Sequence, residues 1–235
     1  MSAVVLWILG AGGHGRVVAD AAAASGRFAE IVFFDDDTAC GGTVGRWLVR
    51  GNGEAFLRAP VPQAKAQVGA KPRAPIDNTP AVERHIAVGR NALRDSLAER
   101  CEVLGLALAT VVHPAAVLSV DARLAPGCFI AAGAVVAPGA ELGVASIVNH
   151  GASVDHDCRL GRAVHVGPGA HLGGGAMVDE QAWIGLGAAV KHGIHIGRGA
   201  TVGAGAVVVA DVPADICVIG NPARPMHIGA GPSHA

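Results

Sequence analysis

The sequence predicts two domains of different class, a small α/β domain followed by a parallel β-helix, and three observations carry that prediction. From Leu118 to Val208 every sixth residue is Leu, Ile or Val, without an insertion. The residue two places before each is usually small, and the residue after it is often glycine. At the front, the apolar run VVLWIL leads into GAGGHGRVVADAAAASG, a glycine loop followed by an alanine-rich stretch.

The six-residue period is neither the 3.6 of a helix nor the 2 of an isolated strand. It is the signature of a parallel β-helix, in which three six-residue sides make one triangular coil. The aliphatic residue points inward, the small residue fits the crowded corner, and glycines supply positive φ angles and close approaches at the turns. One coil takes eighteen residues, so residues eighteen apart stack at about 4.8 Å, and the unbroken series supplies about five coils. Cys128 and Cys158 fall at the small inward position, which predicts packing rather than reactivity. His150, His156 and His192 lie two after an aliphatic residue, and His165, His171 and His195 one before. All six are therefore expected to face outward.

In the front domain, Gly10, Gly12 and Gly15 match G-x-G-x-x-G between a strand and a helix ending near Gly26. Backbone N–H groups of such a loop can hold a phosphate, although glycines there also serve simply to pack helix on strand. A second strand, EIVFF, ends in Asp35, Asp36 and Asp37, placed about 20 residues on, where a carboxylate can accept from a ribose or base. The region is too short for a full dinucleotide domain, and a mononucleotide or nucleotide-sugar fits better. Residues 46–80, with prolines from Pro60 to Pro80, read as an exposed connection. A strand is expected over 85–89, and a helix over 91–100 with Asn91 as its cap. The domains are set at 1–109 and 110–220, with a tail over 221–235.

A net charge of −1 offers no field for nucleic acid or an anionic membrane, and no apolar run approaches the roughly 20 residues of a membrane helix. Five cysteines, without a C-x-x-C pair, are consistent with reduced thiols and a cytoplasmic setting. The remaining anomaly is NHGASVDHDC at 149–158, a histidine between two aspartates in a chain with 16% charged residues. It reads either as a polar turn on the outer face or as a base tuned by its neighbours, since a carboxylate strengthens an imidazole as a base. Asp157, or Asp155, could do this. Gly174, eighteen residues after His156, would offer a backbone N–H to an oxyanion.

The ILGAGGHGRVVAD opening, the VNHGASVDHDC step and the closing GNPARPM together resemble the bacterial nucleotide-sugar acetyltransferases of the sialic acid and bacillosamine type. The resemblance covers nearly the whole chain except 46–80. It implies an N-terminal Rossmann-like nucleotide-sugar domain and a C-terminal left-handed β-helix; the periodicity itself leaves the hand open. It further implies acetyl-CoA as cosubstrate, no metal, and a homotrimer with active sites between subunits. On this resemblance His156 is the base and Asp157 the acid that raises its basicity. His165 contacts acetyl-CoA, and Leu186 and Ala204 join Gly174 along the pantetheine. Gly12, Gly13, His14 and Arg16 surround the diphosphate and sugar, with Asp35 and Asp36 near the nucleoside. The chain departs from the family at Asn149-His150, where Asn-Thr or Asn-Ser is common. Two other functions are compatible with a β-helix: acetyl transfer to a sugar hydroxyl, and γ-carbonic-anhydrase-like zinc chemistry. The zinc enzymes carry a histidine pair five residues apart, which this chain lacks.

Overall fold

A computed structural model describes residues 4–37, 41–58 and 81–226. The proline cluster from Pro60 to Pro80 and the end of the expected tail lie outside the described residues. The front domain runs β1 (Val4–Leu9), α1 (Gly13–Ser25), β2 (Glu30–Phe34), β3 (Thr43–Val44), β4 (Trp47–Gly51), α2 (Gly53–Phe56), β5 (Ala81–Ile86) and α3 (Asn91–Val103). Its sheet has the order β3-β4-β2-β1-β5, parallel except for the β3–β4 pair. Strand β1 has β2 on one side and β5 on the other, so the sheet reverses direction of growth at its carboxyl end. Open α/β sheets bind ligands at such a reversal, and the glycine loop sits there. Gly15 is dictated by packing, because a Cβ would lie 3.0 Å from the Gly10 carbonyl carbon and from the Phe33 ring.

Two expectations need correction. Within the expected connection over 46–80, Trp47–Gly51 form β4 and Gly53–Phe56 form α2. The pieces are short, and α2 is held by caps: Asn52 accepts from Ala55 N–H, and Asp36 accepts from Gly53 N–H at 2.8 Å. Asn91 does not cap α3; Arg90 takes that position, without a side-chain bond. Its amide instead donates to Gln181 and Ala182 carbonyls at 2.9 and 3.0 Å.

From Val111 the chain winds into two-residue strands that pair in register with those eighteen residues on, as in Val135↔Ser153 and Val136↔Val154. The result is a triangular parallel β-solenoid, with one strand before the expected series and a last parallel one at Cys217–Ile219. The aliphatic residues and their small partners fill its axis; Ala140, Val154, Cys158, Val166 and Ala176 are all fully buried. Burial pushes the Cys128 thiol up to about 12, so it is inert.

Three outer faces follow. Face I presents Phe129, Ile147, His165 and Trp183; face II presents Val117, Val135, Ser153, His171, Ala189 and Val207; face III presents Arg123, Glu141, Arg159, Met177 and His195. The turns contain two kinds of glycine. Those directly after the aliphatic residue, such as Gly143, Gly161 and Gly185, have ordinary φ, but a Cβ would lie 2.5–2.7 Å from backbone of the next coil. Those three after it, such as Gly133, Gly139 and Gly175, have φ near +70°.

The front domain lies on face I. Leu6, Ile8, Val18 and Ala22 share one buried cluster with Val111, Phe129 and Ile147. Helix α3 is stitched to the edge between faces III and I by Arg94, which is 1% exposed. Its guanidinium donates to the carbonyls of Ala145 and Ala163, one coil apart, and to those of Val88 and Gly89. Ala145 and Ala163 are alanines at positive φ, the slot that glycine usually fills. Asp95 adds pairs with Arg162 and Gln181. Arg94→Leu keeps the bulk but leaves several buried carbonyls without donors. It is expected to cost about 3 kcal/mol or more and to split denaturant unfolding, monitored by intrinsic fluorescence and circular dichroism, into separate transitions for the two domains.

Candidate functional site

The edge between faces II and III carries residues 155–158 and, one coil on, 173–176. Asp157 has φ 59°, occupying the left-handed slot that Gly139 and Gly175 fill one coil to either side. Asp tolerates this region better than most residues, and the turn puts its carboxylate beside the preceding side chain. His156 Nδ1 lies 2.9 Å from Asp157 Oδ2. The carboxylate accepts, so Nδ1 carries hydrogen and Nε2 is the basic atom. The bond to Asp157, then the charge of Asp155, raises the imidazole pKa. Asp155 also accepts from the His156 backbone N–H.

Both side chains lie flat against neighbouring coils. A Cβ at Gly139 would come 2.5 Å from Asp157 Oδ1, and one at Gly174 would come 2.6 Å from the His156 Cε1. Glycine at 174 thus leaves room for the ring above a bare backbone. Among the described residues the Gly174 N–H donates to no other group. The corner is open to solvent, His156 being 61% and Asp157 74% exposed. Asp215 stands over Gly199 in the same way without a histidine, so the carboxylate placement is a property of the turn and the histidine is the added chemistry.

A second group of residues lies on face I, beneath the glycine loop. His14, from the first turn of α1, packs edge-on to Phe129 and lies 6.3 Å, ring to ring, from His165. His165 points outward from the solenoid, as expected, but is only 5% exposed because the front domain covers it. Its ring packs against Trp183, tilted by 44° with centroids 4.2 Å apart, and its Nε2 is 3.2 Å from Asn149 Nδ2. Burial, with help from Arg94, lowers both His14 and His165 to about 3, so both are neutral. Alongside them Gly13, Arg16, Asp20, His113, Ala132 and His150 line a cavity of about 370 Å³. Asn149 and His113 were not singled out by sequence reasoning; the eighteen-residue stacking of 147 on 165 was the available signal for the former. Asp35 accepts from Ala11 N–H and Asp37 N–H, so it braces the glycine loop, while Asp36 holds α2.

Within one chain these two groups do not meet. His156 is at the II/III edge, whereas His14, His165 and the cavity belong to face I and the I/II edge. Leu186 and Ala204 stand at the I/II edge too, both exposed, one coil apart, and so away from Gly174. The sequence reading ran Leu186 and Ala204 with Gly174 along one groove; within one chain the width of face II lies between them. Among the described residues no His, Cys, Asp or Glu group of three or more could hold a metal ion, and no helix is long and apolar enough to cross a membrane.

Three histidines buried in neutral form, His14, His165 and His85 (lowered to about 4 by burial), make stability depend on pH. Their folded values lie below the ordinary 6.5, so above 6.5 folded and unfolded chains are both neutral there and stability is full. Below it the unfolded chain takes up protons that the fold refuses. Stability should fall by about 1.4 kcal/mol per pH unit for each histidine, measured by denaturant unfolding between pH 7 and 5.

Residues 5–101 match the family described as the PglD N-terminal domain. No curated protein sequence matches the chain. Among solved structures, the acetyltransferase domain of PglB from Neisseria gonorrhoeae, in complex with acetyl coenzyme A, is 40% identical, with a TM-score of 0.83 over 94% of this chain and 98% of that one. PerB from Caulobacter crescentus, in complex with CoA and GDP-perosamine, is 35% identical, with a TM-score of 0.79 over 96% of this chain and 98% of that one. WeeI from Acinetobacter baumannii is 26% identical, with a TM-score of 0.77 over 95% and 100%. A solenoid with a histidine–aspartate corner, a glycine-loop domain seated on it, and 35–40% identity over almost the full length place this chain in the hexapeptide-repeat sugar acetyltransferase family.

Proposed function

We propose that the chain transfers the acetyl group of acetyl-CoA to the 4-amino group of a 4-amino-4,6-dideoxy sugar linked to GDP or UDP, with His156 as general base. The observation that carries this reading is the orientation of His156: Nδ1 is committed to Asp157, and the ring lies over the unsubstituted backbone of Gly174. The C. crescentus relative, whose structure holds CoA and GDP-perosamine, supports an amino sugar on a nucleoside diphosphate. In this reading the solenoid is a left-handed β-helix over 110–220 and residues 1–109 are Rossmann-like, with a tail over 221–235. Gly12, Gly13, His14 and Arg16 hold the diphosphate and sugar. Asp35 and Asp36 lie toward the nucleoside, and His165, Gly174, Leu186 and Ala204 toward the cosubstrate.

The chemistry is acyl substitution. The amine lone pair attacks the thioester carbonyl carbon while Nε2 of His156 takes the amine proton. The carbonyl oxygen becomes an oxyanion that accepts from the Gly174 N–H, and its collapse expels the CoA thiolate, which recovers a proton from the imidazolium. Asp157 stabilises the imidazolium between these steps.

The separation of the two groups of residues supports a trimer. A sugar held at the I/II edge must cross face II, six residues or about 20 Å of near-extended chain, to reach His156 of its own subunit. Face II carries no Asp, Glu, Lys or Arg in its outward row, whereas face III carries Arg123, Glu141 and Arg159 and face I is covered. Three prisms with face II turned to a common axis set the I/II edge of each beside the II/III edge of the next. One subunit's His156 then meets the next subunit's His14, His165, Leu186 and Ala204.

The test is thiol release from acetyl-CoA with a panel of GDP-, UDP- and dTDP-linked 4-amino sugars; acetylation of free sugars alone would overturn the reading. His156→Ala is expected to lower kcat by about 10²–10⁴ in a folded protein. Asp157→Asn removes the group that raises the imidazole pKa, so the acid limb of kcat/KM moves to lower pH while the plateau falls. His156→Ala and His14→Ala variants, each inactive, should regain about one quarter of wild-type activity when unfolded and refolded together at equal amounts, the share of sites that combine two intact halves. No recovery, or a monomer by light scattering, would remove the shared site.

A further inference from the structure

The environment of His165 determines which of its nitrogens carries hydrogen, and one side chain decides it. Asn149 sits at the start of the turn after Val148, in the coil below His165. Its Oδ1 accepts from the His150 backbone N–H at 2.9 Å. A backbone N–H can only donate, so the amide oxygen is tied to that side and the amide nitrogen must face the ring. Asn149 Nδ2, a donor, lies 3.2 Å from His165 Nε2. Two donors cannot share a hydrogen bond, so Nε2 offers its lone pair and the hydrogen sits on Nδ1. That Nδ1 is buried, and among the described residues it has no hydrogen-bond partner; neither has Nε2 of His14, the neighbouring ring.

We propose that Asn149 is a positioning residue that locks His165 in the Nδ1–H tautomer, so that the buried histidine pair under the glycine loop keeps one fixed, unpartnered hydrogen-bond donor for an incoming acceptor oxygen. The lock explains a costly feature. A buried N–H without a partner costs about 1–3 kcal/mol, and the other tautomer would be no cheaper here, because it would oppose Nε2–H to the amide N–H. The cost is removed when a carbonyl or hydroxyl oxygen enters. His14, also neutral, stands next to the same ring and adds no charge that would compete. The Trp183 ring, packed against the imidazole at 4.2 Å, limits its reorientation. The role of this donor in catalysis rests on the acetyl-transfer reading above; the tautomer does not.

The experiment is nitrogen NMR of the full-length protein with 15N-labelled histidine, the His165 signals being assigned by their loss in His165→Gln. The wild type is expected to show hydrogen on Nδ1 and a bare Nε2. Asn149→Asp has the same shape but replaces the donor by an acceptor, so hydrogen should move to Nε2, and kcat/KM should fall by up to about 10²-fold with thermal unfolding little changed. If Asn149→Asp does not fold, Asn149→Ala should show both tautomers. Hydrogen on Nε2 in the wild type, or an Asn149→Asp variant with the wild-type pattern, overturns the lock. A switched tautomer with unchanged kcat/KM overturns its use as a donor. The expected tautomers in a protein that acetylates no nucleotide-sugar would sink the functional reading and leave the lock standing.

Discussion

Residues eighteen apart sit directly above one another, and nearly every other feature depends on that stacking. At about 4.8 Å between coils, a side chain in a turn rests on the backbone of the next coil unless it points away. Where the residue after the inward aliphatic is Gly143, Gly161 or Gly185, a Cβ on the same backbone would collide with the next coil. Two residues later the chain turns left-handed, and there shape is set by φ instead of space. The His156 corner uses both constraints together. Asp157 takes the left-handed slot, and the glycines at 139 and 174 clear the surfaces on which it and His156 lie. The proposed base is therefore positioned by its neighbours' lack of side chains.

The stacking also explains which parts of the molecule were legible in the sequence. The six-residue series, the outward direction of the histidines and the relation of Gly174 to His156 are consequences of counting, and each corresponds to the observed pairing. Which edge a residue occupies is equally a matter of counting, but it matters only once the triangular section is recognised as separating His156 from Leu186 and Ala204. Burial of His165 was not legible, because an outward-facing residue becomes buried only when another domain lands on it. Asn91 fails as a predicted cap for a related reason: its Oδ1 accepts from the Arg94 guanidinium while its Nδ2 donates to carbonyls ninety residues on. Residues 46–56 lacked periodicity long enough to read, and α2 is defined by caps instead of by an apolar stripe.

The solenoid sorts its histidines by electrostatics. At the open corner, hydrogen bonding to Asp157 and the charge of Asp155 favour the imidazolium, as a base requires. Under the front domain, burial and the guanidinium of Arg94 work the other way and favour neutral His14 and His165. One residue type thus supplies a proton acceptor in one place and uncharged hydrogen-bonding rings in the other. Arg94 has two effects from one position, since the same cation that ties α3 to the solenoid disfavours a second charge beside it.

This sorting bears on the proposed site between subunits. A base must exchange protons with the reacting amine and the leaving thiolate, so it stands on an edge with its ring exposed. Neutral donors gain strength from burial, because a low dielectric strengthens each hydrogen bond they make, and burial here is provided by the domain seated on face I. The two requirements conflict on one edge of one prism. Placing them on different edges resolves the conflict within the chain and leaves assembly to bring them together. Face II, between those edges and without charge in its outward row, is the surface whose burial would do so at least cost. In the proposed trimer the two groups of residues, held apart within each chain, become adjacent across the boundary between copies.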